Sequence, residues 1–159
     1  MTRSQGSGNQ IRRFWRICRS LPGGRRIFSL LLRRIVPYTG TISPRVLALE
    51  DGYALVSMRD RKRVQNHLRS IHAIAMVNLA EVSSGLALIH ALPADARAIL
   101  VGLSIDYSKK GRGTLTAEAQ CPVPKSSERM EYDSVAVLRD QEGDEVARAT
   151  ARWLVSPSV

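Results

Sequence analysis

The stretch Asn66-His-Leu-Arg-Ser-Ile-His72-Ala-Ile-Ala-Met-Val-Asn-Leu-Ala-Glu81-Val-Ser-Ser-Gly85 begins polar and basic and then turns apolar, with one carboxylate, Glu81, inside the apolar run. The apolar residues fall on nearly every face of a helix rather than on one stripe. That pattern predicts a helix over residues 71–91 that is buried all round. Ser70 is its expected N-cap, and Pro93 ends it. A charge in the middle of such a helix is costly to bury unless something uses it, so Glu81 marks the stretch as functional.

Around this helix the sequence reads as strands. Residues 41–49 and 53–58 are strand-like and flank Glu50-Asp-Gly52, a good hairpin turn. Pro37-Tyr-Thr-Gly40 before them reads as a turn, and residues 59–65 as a charged loop. After the helix come strand-like segments at 98–107, 114–123, 130–139 and 145–155. Lys109-Lys-Gly-Arg-Gly113 and Asp140-Gln-Glu-Gly143 read as hairpin turns between them. The last segment alternates cleanly, with Ala147, Ala149, Ala151 and Trp153 opposite Val146, Arg148, Thr150 and Arg152. The expected order is two strands, a long helix and four hairpin-linked strands. A curved antiparallel sheet wrapped around one central helix accommodates it, an α+β architecture.

The length of 159 residues suits one domain with a real core. Cys18 and Cys121 are far apart and read as free thiols of a reducing compartment. His67, His72 and His90 lack the spacing of metal ligands, so no metal is expected. The net charge of +10 is unevenly placed. Residues 1–49 hold ten arginines and no acid, whereas basic and acidic residues balance from Glu50 onward. This divides the chain into a basic arm, 1–36, and a main domain, 37–159.

Residues 1–10 read as a disordered lead-in. Two short amphipathic helices follow, split by Leu21-Pro-Gly-Gly24. The arm reads first as structural, then as a membrane-surface helix, then as a targeting segment. Its charge suits an anionic surface or a polyanionic ligand. Nucleic acid is disfavoured, because the strands lack interleaved basic and aromatic residues.

The whole pattern resembles the hotdog fold, and its central motif is similar to that of the PaaI-like acyl-CoA thioesterases. That family has an Asn, a His six residues later followed by Gly-Gly, and an acidic residue nine positions after the His. Asn66, His72 and Glu81 fall at those places. Closer still is an uncharacterised hotdog-like family, a domain of unknown function. It is similar around Pro37-Tyr-Thr-Gly40, Arg63-Val-Gln-Asn-His-Leu-Arg-Ser-Ile-His72 and Tyr107-Ser-Lys-Lys-Gly111. Here Arg69 stands where many thioesterases have Gly, Ala73-Ile74 replace Gly-Gly, and Glu81 replaces the commoner Asp. An apolar residue stands near the assisting hydroxyl position of the strand after the helix.

The resemblance implies thioester hydrolysis, which needs a base or nucleophile and a donor for the developing oxyanion. Glu81 is the candidate for the first role, and the backbone N–H of Ala73 for the second. Asn66 would orient water or the thioester, and His72 would anchor the loop or bind a carbonyl. Arg61, Arg63, Arg69, Lys109, Lys110 and Arg112 are the candidates for the phosphates of coenzyme A, which enters as part of the substrate, with no further cofactor. Each also has a plainer reading. Glu81 would pair with a buried arginine, His72 and Asn66 would satisfy backbone groups, and the basic runs would be solvated turns.

His72 and Glu81 lie nine residues apart, about 13.5 Å along a helix axis and on opposite faces. A working site therefore needs two subunits, and a homodimer or dimer of dimers is expected. The reading is of a cytoplasmic protein, with membrane-surface association through the arm kept open. The alternative function is a non-catalytic module that binds acyl-CoA or acyl lipid.

Overall fold

The computed structural model describes residues 7–158. The arm forms α1 (Ser7–Arg19) and α2 (Gly24–Ile35). A single turn, α3 (Pro37–Gly40), leads into β1 (Arg45–Glu50) and β2 (Tyr53–Arg59). After a short 3₁₀ turn at Lys62–Val64 comes the long α4 (Ala73–Ala91). Four strands follow: β3 (Ala96–Tyr107), β4 (Thr114–Gln120), β5 (Met130–Arg139) and β6 (Glu145–Pro157). All six strands form one antiparallel sheet in the order β1-β2-β4-β5-β6-β3, curved around α4.

This is the α+β hotdog architecture that the sequence predicts. Helix α4 is buried over most of its circumference because nearly every face is apolar; a stripe of Ile74, Val77 and Glu81 is left exposed or half-buried. Leu79, Ala80, Ala87 and Leu88 are completely buried, and the small side chains Ser83, Ser84 and Gly85 let the sheet approach closely. α4 is long and apolar enough to cross a bilayer, yet two thirds of it is already buried inside this sheet.

Three local expectations need correction. The segment from Lys109 to Gly113 is not a hairpin turn, because β3 pairs with β6 and β4 pairs with β2 and β5. β3 and β4 stand three places apart in the sheet, about 14 Å at the usual strand spacing. The connection crosses under the start of α4, where the Gly111 carbonyl accepts the Ile71 N–H at 2.8 Å. Pro37–Gly40 is a helical turn with Pro at its start, rather than a simple turn. The N-cap of α4 is His72, not Ser70. Residues 71 and 72 stay extended because Ile71 bridges to Gln65 and the His72 N–H is bound to the Val64 carbonyl at 2.7 Å.

The arm is built into the fold. Trp15, Cys18 and Phe28 belong to the main core, and Phe28 meets Trp15 edge-on and Phe14 in a stack. The Ser29 hydroxyl accepts the Val46 N–H at 3.0 Å and so ties α2 to β1. Arg12 donates to the carbonyl of Leu92, just beyond the C-terminus of α4, where cations are favoured. Helix α1 begins at Ser7, inside the stretch expected to be disordered; residues 1–6 of that expectation lie outside the described residues. Both cysteines are free.

Candidate functional site

The loop before α4 is organised by Asn66. Its Oδ1 accepts from the N–H of Leu68 (2.9 Å), the N–H of Ser70 (3.2 Å) and the hydroxyl of Ser70 (3.1 Å). The backbone N–H of Asn66 closes the loop onto the Ser70 carbonyl. The turn needs a left-handed residue, and Arg69 supplies it at φ 55°. Glycine adopts such angles without cost, whereas a residue with a Cβ, such as Arg69, does so only with some strain. Truncating Asn66 to alanine leaves the Leu68 and Ser70 amides without their acceptor. A stability loss of about 1–3 kcal/mol is expected, read as a lower urea midpoint at unchanged slope.

The loop delivers the chain to the first turn of α4 with one amide left over. The Nδ1 of His72 accepts the Ile74 N–H at 3.1 Å, and the His72 carbonyl takes the N–H groups of Ala75 and Met76. The N–H of Ala73 has no acceptor among the described residues. Ala73 lines a cleft of about 320 Å³ together with Asn66, Met76, Tyr107 and Lys110. The Tyr107 hydroxyl donates to the Ala73 carbonyl at 3.1 Å, so β3 holds the helix start in place. The sequence reading missed Tyr107, although it stands in a segment singled out for family similarity.

Glu81 lies on a different side of α4. It is half-buried in a groove of about 370 Å³ whose walls are Val36 and Tyr38 from the arm junction, Ile74 and Val77 from α4, and Leu100 and Leu103 from β3. The carboxylate forms no ion pair among the described residues, so the buried arginine of the plainer reading is not there. Desolvation by these apolar walls pushes its pKa above the ordinary carboxylate value. One turn earlier, buried Asn78 donates to the Tyr38 carbonyl at 3.2 Å, while its Oδ1 has no partner among the described residues. Asn78 also lines the groove, which thus contains an unpaired acid and an unfilled acceptor on one helix face. An asparagine three residues before the glutamate in an apolar run was the available signal for it.

The other candidates are dispersed. Arg63 and His72 line an adjoining cleft of about 190 Å³, beside Asn78 and Tyr38. Lys110 borders the cleft at Ala73 and also a larger one, which it shares with Arg112. Lys109 is held by Asp140 and Asp144, each at 2.7 Å, and these bonds raise its pKa. Arg61 reaches toward the Thr41 carbonyl, and Arg69 is exposed at the tip of its turn. One chain thus brings together Asn66, Ala73 and Lys110, and separately Arg63 and His72. Glu81 stands apart from the first group, while its groove adjoins the cleft of Arg63 and His72 and shares Tyr38, Ile74 and Asn78 with it. Asp140, Glu142 and Asp144 cluster within reach of one another, but the Lys109 ammonium already bridges two of them.

The family model for a domain of unknown function, DUF4442, matches residues 24–155. The chain belongs to the DUF4442 family. No curated protein matches it in sequence. Among solved structures, a structural-genomics target is similar at 27% identity with a TM-score of 0.79, over 95% of this chain and 99% of that one. A Pseudomonas aeruginosa protein of unknown function, a probable thioesterase, is 21% identical with a TM-score of 0.74, over 87% of this chain and 97% of that one. A Streptococcus mutans protein solved with bound acetyl-CoA is 24% identical with a TM-score of 0.61, over 71% of this chain and 88% of its own. The solved neighbours are hotdog proteins of the thioesterase kind, many of unknown function. This DUF4442 chain shares their fold.

Proposed function

We propose that this DUF4442 protein is an acyl-CoA thioesterase whose site is completed across a homodimer. The observation that carries the proposal is Glu81, a half-buried acid without a partner among the described residues, in an apolar-walled groove. The neighbours of the same fold include a probable thioesterase and a protein holding acetyl-CoA, which supports a CoA thioester as the substrate class.

In this reading Glu81 of one protomer activates water toward the thioester carbon, or attacks it directly. The oxyanion that forms is held by the N–H of Ala73 of the partner subunit, at the positive end of its helix. The C–S bond then breaks and coenzyme A leaves as the thiolate; after attack by water the acyl group leaves as the carboxylic acid, and after direct attack it stays on Glu81 as an anhydride that water then hydrolyses. Lys110 and Arg112 are the cations available for its phosphates, because Lys109 is already occupied by two carboxylates. The test is thiol release from a series of acyl-CoA esters by the purified protein. Binding without turnover across the series would reject catalysis in favour of an acyl-CoA binding module.

The dimer has its own support. β3 is an edge strand of 12 residues, with Ile99 53% and Val101 43% exposed. A long apolar edge is a template for pairing with another chain. The same strand walls the groove at Glu81 through Leu100 and Leu103. Introducing Ile99→Asp with Val101→Asp is expected to shift the protein from dimer to monomer in light scattering, and to remove thiol release with it. A wild-type protein that is monomeric at assay concentration would sink this arrangement.

A further inference from the structure

Helix α2 is apolar on two opposite sides, and the core uses only one. Phe28 and Ser29 are buried and Leu32 packs against the core from the inner side. On the outer side Ile27, Leu30, Leu31 and Ile35 are 47%, 56%, 38% and 76% exposed. Their spacing of three, four and eight residues places them on one face, a stripe about 12 Å long at 1.5 Å per residue. The stripe continues past the helix end into exposed Val36 and Tyr38. Water is a poor environment for so much clustered aliphatic surface, and such a face calls for a partner.

The charges around the stripe say which partner. Arg25, Arg26 and Arg34 are exposed and Arg33 is half-buried, and none forms an ion pair among the described residues. The first 49 residues contain no acid to neutralise them. A cationic rim asks for an anionic partner, and the aliphatic stripe asks for one with an apolar interior. Nucleic acid meets only the first demand. We propose that the outer face of α2 docks on a bilayer surface rich in anionic lipid, with the helix lying in the interface plane. Arg34, within the stripe, has a stem long enough to keep its guanidinium at the phosphates while its methylenes lie among the acyl chains. The docked face adjoins Val36 and Tyr38, which wall the groove at Glu81, so the groove would open beside the lipid. The proposal rests on α2 alone and is independent of the chemistry at Glu81.

The test is co-sedimentation of the full chain with phosphatidylcholine vesicles, with and without phosphatidylserine, at low salt. The protein is expected to pellet with the anionic vesicles and to stay in solution with the neutral ones. Arg26→Gln with Arg34→Gln should weaken binding roughly thirtyfold, at the usual contribution of an arginine near such a surface. Ile27→Gln with Leu30→Gln should weaken it on the order of tenfold or more. All four side chains are exposed, so both variants should keep the wild-type melting curve and elution volume. Failure to pellet with anionic vesicles overturns the proposal. So does wild-type binding by the Ile27/Leu30 variant. A change of that variant to a smaller oligomer also overturns it, because the face would then belong to a second copy of the chain.

Discussion

Glu81→Gln is expected to lower thiol release from acyl-CoA by a factor on the order of 10²–10⁴, the usual loss when an acid–base group or nucleophile is removed. The amide keeps the size of the side chain, so the groove between α4 and β3 keeps its shape. The wild-type rate should also depend on pH in a way the variant lacks. Burial raises the pKa of Glu81, so the active carboxylate forms only as pH rises through a value above the ordinary carboxylate range. The acid limb of kcat/KM reports that value, and it should vanish from the residual rate of the variant.

Stability gives a second and independent reading of the same group. A carboxyl with a raised folded pKa ionises more readily in the unfolded chain than in the folded one. Stability is therefore lost as pH climbs from the unfolded pKa through the folded pKa, and it stays lost above both. Glutamine carries no such penalty. The variant should melt at or above the wild-type temperature near neutral pH, and the two curves should converge in acid. A variant less stable than wild type at neutral pH would mean that Glu81 has a stabilising cationic partner. An unchanged rate would remove it from catalysis.

The parts of this fold that were legible in the sequence are those specified locally. A 19-residue apolar segment without a polar face, bounded by strand-like segments, reads as a buried central helix, and α4 is one. The alternation at 145–155 can only be a half-buried strand, and β6 is one. The turns after β1 and β5 were readable because each contains a glycine that the backbone requires, Gly52 at φ 75° and Gly143 at φ 89°. Gly111 and Gly113 suggest a hairpin turn between β3 and β4, and Gly113 does adopt φ 69°, but a turn-forming glycine does not say which slot in the sheet the next strand takes. That choice is made by pairing between β3 and β6, whose partners lie from 40 (Tyr107 and Ala147) to 61 (Ala96 and Pro157) residues apart in the chain, which local chemistry does not encode. The N-cap was misplaced for the same reason. Ser70 has the better capping side chain, but Asn66 engages its hydroxyl, and distant carbonyls hold residues 71 and 72 extended.

The site followed the same division. Helix geometry separates Glu81 from His72 by nine residues of rise, about 13.5 Å, but that His72 caps the helix in extended conformation, in a cleft adjoining the Glu81 groove, was not legible. Three facts depended on tertiary contacts. Lys109 is neutralised by Asp140 and Asp144, Asn78 is left with an unfilled acceptor, and Glu81 lacks an arginine among the described residues. Each joins residues that no motif places together.

Ala73→Pro separates the backbone donor from everything else at the helix start. Ala73 is the first residue of α4, the one helical position where proline is well tolerated, because the amide there makes no intrahelical bond. The residue before a proline must be extended, and His72 already is, at φ −64° and ψ 140°. Its Nδ1 cap to Ile74 is unaffected, and so are the bonds from Ala75 and Met76 to its carbonyl. The substitution therefore removes one N–H, which no described residue accepts, and little more. If that N–H holds the oxyanion, turnover should fall on the order of 10²–10³-fold while the denaturation midpoint stays close to wild type. The loss should lie mainly in kcat, because the donor is aimed at charge that develops only in the transition state. A proline variant that folds and turns over at the wild-type rate would show that the oxyanion is held elsewhere. An Ala73→Gly variant provides the opposite control. It keeps the N–H and removes the Cβ beside it, so activity should be equal to or above wild type.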